Sequence, residues 1–101
     1  MNVQSVALNS ANVRYDNANN ELKKYDISAN ISISNGTVNN GDSGEVKLDD
    51  VLIARFNFWN NNNLNISYFG IDAELQYEIN KEINDFIEAV ILNISASPIN
   101  I

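Results

Sequence analysis

Between residues 25 and 34 apolar and polar side chains alternate without a break: Tyr25, Ile27, Ala29, Ile31 and Ile33 interleave with Asp26, Ser28, Asn30, Ser32 and Ser34. Successive side chains of an extended strand leave opposite faces, so this stretch reads as a strand with one buried face and one wet face. After residue 79 the repeat changes. Ile83, Phe86, Ile87, Val90, Ile91 and Ile94 recur at helical spacing, opposite Lys81, Glu82, Asp85 and Glu88, which predicts a helix near residues 80–94. Alone, such a helix would leave its apolar stripe in water, so it must cover a sheet. The change of period predicts an α+β fold: an antiparallel sheet of three to five strands within residues 3–79, with a C-terminal helix packed on one face.

The remaining segments fit that frame unequally. Val6 and Leu8, then Val13 and Tyr15, suggest a strand or bent strand pair. Residues 35–44 are Asn, Gly, Thr, Ser and Asp apart from Val38, a turn-rich composition that predicts an exposed loop. Val46, Leu48, Leu52, Ala54, Phe56 and Phe58 share one parity, as in a long strand bulged at Asp49-Asp50. Asn60–Asn63 reads as a hairpin connection, followed by Leu64, Ile66 and Tyr68 in even register. At Gly70 the register changes, and two readings fit residues 71–79. Apolar side chains at Ile71, Ala73, Leu75, Tyr77 and Ile79 suit a strand continuing through a glycine bulge. The four-residue recurrence of Ile71, Leu75, Ile79 and Ile83 suits a helix beginning near residue 73 and capped by Asp72. Against the helix, Glu74, Glu78 and Glu82 would stack like charges, and the choice between strand and helix at 71–79 stays open. Pro98 ends helical geometry before the tail Ile99-Asn100-Ile101.

Residues 1–101 suffice for one small domain, with 45% apolar side chains to fill a single core. The chain contains neither His nor Cys, which removes the ligands of most zinc sites, thiol nucleophiles and the histidine base of a hydrolytic triad. No glycine-rich segment is followed by the Lys-Ser/Thr of a phosphate cradle. The chain is therefore read as non-enzymatic, without cofactor or metal. No apolar stretch is long enough to span a membrane and no leader is visible, so a cytoplasmic location is expected.

The net charge of −7 is concentrated after residue 40, where Lys47, Arg55 and Lys81 face Asp42, Glu45, Asp49, Asp50, Asp72, Glu74, Glu78, Glu82, Asp85 and Glu88. With no basic cluster beyond Lys23-Lys24, direct binding of nucleic acid is not expected. An acidic surface suits a partner protein with a basic surface, as for an inhibitor or accessory factor. Asp42, Glu45, Asp49 and Asp50 form the densest carboxylate group, but their spacing lacks the order of a calcium loop. If Phe56 and Phe58 point inward, Trp59 points outward at a hairpin end, a position suited to an interface anchor. Trp59, Glu74, Glu78, Glu82, Asp85 and Glu88 are therefore the candidate partner-binding residues. Homo-oligomerisation is also expected, because pairing would hide an apolar patch or an open sheet edge.

The order of strands followed by a helix, the segment Leu64-Asn65-Ile66-Ser67-Tyr68-Phe69-Gly70-Ile71 and the ending Ser97-Pro98-Ile99-Asn100-Ile101 resemble export chaperones of the SecB kind. The resemblance covers about half of the chain. It implies curved strands backed by helices and, as an alternative function, the holding of unfolded peptides in apolar grooves.

Overall fold

The computed structural model describes residues 1–9, 12–34, 36–59 and 63–96. Six strands, β1 (Gln4–Asn9), β2 (Asn12–Asp16), β3 (Asp26–Ser34), β4 (Thr37–Leu48), β5 (Val51–Trp59) and β6 (Asn63–Tyr68), precede one helix, α1 (Ala73–Ala96). Every strand pairs antiparallel with its neighbour in sequence, giving one sheet in the order β1-β2-β3-β4-β5-β6. The α+β class and the helix on one face are as expected. The described residues form six strands rather than three to five, because two segments expected as a loop and as one long strand resolve into β4 and β5.

The alternation at residues 26–34 forms β3, with Ile27, Ala29, Ile31 and Ile33 buried and Asp26 and Ser34 exposed at its ends. β4 occupies most of the segment expected as an exposed loop. Its register slips beside Ser43, which has φ 50°, and again near Asn39, so two bulges absorb extra residues. Gly41 and Gly44 lie on its buried face, where the rings of Phe58 and Phe56 from β5 occupy the space a side chain would need. A Cβ at Gly44 would fall 2.6 Å from the Phe56 ring, and one at Gly41 would collide with Phe58. The apolar cover of this central strand is thus supplied by its neighbour.

Asp49-Asp50 does not bulge a continuous strand; it turns the chain. Both residues have positive φ, 51° and 66°, and Leu48 pairs with Val51 across them, the pattern of a two-residue type I′ hairpin. Beyond the turn Leu52 pairs with Lys47 while Ala54 pairs with Val46, leaving Ile53 as an extra residue. That bulge puts Leu52 on the face opposite Ala54, Phe56 and Phe58. The connection expected at Asn60–Asn63 joins β5 to β6, whose register begins at Trp59 and Asn63; residues 60–62 lie outside the described residues, as do residue 35 and the tail 97–101.

Residues 71–79 belong to the helix, not to a seventh strand, and the helix begins at residue 73 rather than near 80. Gly70, at φ 67°, breaks the extended backbone after β6. Asp72 then caps the helix, its Oδ1 accepting the Leu75 N–H at 2.8 Å, while Gln76 Nε2 donates to the Ile71 carbonyl at 3.0 Å. The repulsion expected among Glu74, Glu78 and Glu82 is offset from outside the helix, because Glu78 takes hydrogen bonds from Tyr25 and Lys24. Ile79, Ile83, Phe86, Ile87, Val90 and Ile94 are buried against the sheet, and Phe86 meets Phe56 edge to face at 6.2 Å. The helix passes closest over β4, the strand that glycine keeps low.

Candidate functional site

The helix divides the sheet's covered face into two unlike margins. Successive helical residues turn by about 100°. Glu74, Glu78, Glu82 and Asp85 consequently fall on one flank, and Gln76, Asn80, Asn84, Ile87 and Ile91 on the other. The hydroxyl of Tyr25, just before β3, donates to Glu78 at 2.8 Å, and that of Tyr15 in β2 donates to Asn93 at 2.9 Å. These two bonds turn the acidic flank toward β1–β3. The uncharged flank is left facing β5 and β6, and there Asn84 Nδ2 donates to the carbonyl and Oδ1 of Asn80.

The β6 margin is the less covered. Leu64, Ile66 and Tyr68 pair with Phe58, Phe56 and Ala54, so they continue the buried face, yet each is only half-buried. Phe69, just beyond, is exposed. Phe69 N donates to the Ile53 carbonyl at 2.9 Å, which makes Tyr68 and Ala54 a non-hydrogen-bonded pair. Alternation then directs the main-chain N–H and C=O of Leu64, Ile66 and Tyr68 outward from the sheet edge. Among the described residues no strand pairs with that edge. Its register with β5 has no bulge, and its six residues carry no charge and no proline, so the usual protections of an edge are missing.

On the acidic side, Asp85, Glu88, Leu92 and Asn93 line an open groove with Met1, Asn2, Val3 and Asn19. Burial, with the nearby charges of Asp85 and Glu78, pushes the Glu82 carboxyl above its usual range. Glu78 is held below that range by its hydrogen bonds from Tyr25 and Lys24, against a smaller opposing effect of burial. Glu74 is exposed in the first helical turn.

Trp59 is 47% exposed at the end of β5. Because Phe58 beside it faces the helix, Trp59 faces the opposite, uncovered side of the sheet. The six candidate residues therefore do not form one surface: the five acids lie on the helix, and the sheet separates them from Trp59. The uncovered face is polar and centres on Arg14, which donates to Ser28 Oγ at 2.7 Å and Asn30 Oδ1 at 3.0 Å and pairs with Glu45 at 3.8 Å. Asp42, Glu45, Asp49 and Asp50 are divided between β4 and its turn, and among the described residues no three carboxylates converge as metal ligands. No described helix is long and apolar enough to cross a membrane.

In the sequence Leu64, Ile66 and Tyr68 read as strand residues and carry no sign of a role. Their even register is visible there; their position at a sheet edge depends on the order of all six strands. The chain matches no protein-family model, and no curated protein or solved structure matches it significantly.

Proposed function

We propose that this protein is a non-enzymatic binder that holds extended, unfolded peptide segments along β6, in the manner of a SecB-like chaperone. The observation that carries the reading is the half-covered row Leu64, Ile66 and Tyr68 on an edge whose main-chain groups point outward. An extended peptide laid on this edge gains main-chain hydrogen bonds that do not depend on its sequence. Its alternate side chains extend the apolar row on the helix side of the sheet. Affinity from the main chain with loose side-chain selection suits unfolded clients, and the resemblance at residues 64–71 points the same way.

The test is binding to a permanently unfolded, reduced and alkylated carrier protein, at low and high salt and in competition with an apolar dye. Binding that survives salt, is displaced by dye, and weakens about tenfold or more in the folded double variant Ile66→Ser, Tyr68→Ser is expected. Binding unchanged by that variant would overturn the reading.

A second reading is favoured by the gathering of Glu74, Glu78, Glu82 and Asp85 on one helical flank, with Glu88 beside the groove below it. It makes this flank an acidic surface that orients a basic protein partner, the role of an inhibitor or accessory factor. Here added salt would abolish binding, and neutralising Glu82, Asp85 and Glu88 would slow association. Trp59 would serve a separate contact on the other face.

A further inference from the structure

We infer that β6 also pairs with β6 of a second copy of this chain, antiparallel about a twofold axis through Ile66. This goes beyond the peptide-holding reading and does not depend on it, although a second copy and a peptide would compete for the same main-chain groups.

The argument begins with charge. A chain of net charge −7 repels its own copies over most of its surface, and only a neutral margin lets two copies approach. β6 is such a margin: its residues Asn63–Tyr68 and the helix flank facing it, Gln76, Asn80 and Asn84, carry no charge. The helix lies over β4, two strands in from the edge, so it leaves the approach open.

Register follows from the hydrogen-bonding parity. The outward main-chain groups belong to Leu64, Ile66 and Tyr68, so those residues must form the hydrogen-bonded pairs of a new antiparallel ladder. Centring on Ile66 satisfies all three at once: Ile66 pairs with its own counterpart, and Leu64 with Tyr68 of the second copy in both directions. About six main-chain hydrogen bonds result, two at each of three pairs. The same register joins the two half-covered rows into one apolar strip on the helix side and sets Asn65 opposite Ser67 on the other. The edge is thus self-complementary, as an isologous contact requires. A shift by one residue would set apolar side chains of one copy beside polar ones of the other.

Absence of cysteine makes the test clean. Asn65 and Ser67 are exposed, and the inferred register places them as a non-hydrogen-bonded pair with Cα atoms about 4.5 Å apart, within reach of a disulfide. Folded Asn65→Cys and Ser67→Cys proteins should each fail to cross-link alone under mild oxidation and should cross-link when mixed. The unsubstituted chain should scatter light as twice its 11.3 kDa mass at high micromolar concentration. Ile66→Pro, which deletes an outward N–H without touching a bond to β5, should return it to the single mass, with circular dichroism confirming that the sheet persists. A single mass at every concentration would overturn the inference, as would a dimer whose cysteine variants link equally alone and mixed, or not at all.

Discussion

The Tyr25 hydroxyl donates a 2.8 Å hydrogen bond to Oε1 of Glu78, joining the start of β3 to the second turn of the helix. Lys24 reaches the same oxygen at 3.4 Å and lies 5.4 Å from the centre of the Tyr25 ring. This contact pulls one carboxylate out of the Glu74-Glu78-Glu82 stack and fixes which flank of α1 faces the N-terminal strands. Its effect on stability has a definite sign. The hydrogen bond from Tyr25 and the nearby Lys24 keep the folded Glu78 carboxyl below its ordinary value of 4.5, so its contribution is present above that value and is lost as pH falls through the depressed one. Glu78→Gln and Tyr25→Phe are each expected to lower stability at pH 7 and to flatten its fall below pH 4.5, as read by denaturant titration across pH.

Glu82 should behave in the opposite sense. Burial first, then Asp85 and Glu78, raise its folded pKa above 4.5, so the charged form is penalised at neutral pH and the penalty is relieved as pH falls through the raised value. Glu82→Gln is expected to stabilise the fold at pH 7 by a few tenths of a kcal/mol to about 1 kcal/mol, discounted for partial exposure. The difference from the parent should shrink in acid. A variant less stable than the parent at pH 7 would show that Glu82 has a favourable partner.

Asn17 is buried and replaces a strand residue at the end of β2. Its side-chain amide donates to the Tyr25 carbonyl, and its side-chain oxygen accepts the Ile27 N–H, both at 2.9 Å. Asn17→Ala would leave both main-chain groups unpaired in a dry site and is expected to cost about 2–4 kcal/mol. Asn17→Asp keeps the acceptor for Ile27 and loses the donor. Hydrogen exchange should therefore show the Ile27 amide less protected in the alanine variant than in the aspartate variant.

β4 explains why part of this fold was legible in the sequence and part was not. β3 announces itself because its own side chains fill the core in strict alternation. β4 lies beside it in the sheet, yet at Gly41 and Gly44 the core is filled by Phe58 and Phe56, and two bulges break its period. A strand whose burial is supplied by a neighbour looks like a loop when read alone. Residues 71–79 were ambiguous for a different reason: apolar residues at odd positions and at every fourth position coincide there. The choice was made by Gly70, by the Asp72 cap and by Lys24 and Tyr25, some fifty residues earlier. In the candidate site, the outward direction of Trp59 followed from parity, whereas its separation from the helix acids and the openness of β6 required the strand order. Gly44→Ala tests the filling directly. Its Cβ would meet both the Phe56 ring and the Phe56 carbonyl at 2.6 Å, and a loss of about 1–3 kcal/mol is expected. Phe56→Leu in the same chain should recover only part of it, since the carbonyl contact remains.

The Asp49-Asp50 turn holds two non-glycine residues at positive φ, where Asn-Gly is the preferred pair for a type I′ hairpin. Asp49→Asn with Asp50→Gly is expected to raise stability by about 0.5–1 kcal/mol, because the backbone strain falls while the pairing of Leu48 with Val51 is kept. Thermal melts at two salt concentrations distinguish relief of backbone strain from relief of charge repulsion: only the second would fade at high salt.

Trp59 is the single tryptophan and faces away from the helix, so its fluorescence reports on the uncovered side of the sheet without interference. In the dilute folded protein its emission should be red-shifted and readily quenched by acrylamide, and Trp59→Ala should cost about 1–3 kcal/mol, less than the loss of a fully buried tryptophan. A peptide held on the helix side of β6 should leave the quenching largely unchanged, because Leu64, Ile66 and Tyr68 direct their side chains to the opposite face. A partner seated on the polar face around Arg14 should instead shield the indole and shift its emission to the blue. Shielding by the unfolded carrier would move the site across the sheet and take β6 out of the function. Unchanged quenching, together with loss of binding in the Ile66→Ser, Tyr68→Ser protein, would keep the site on the helix side.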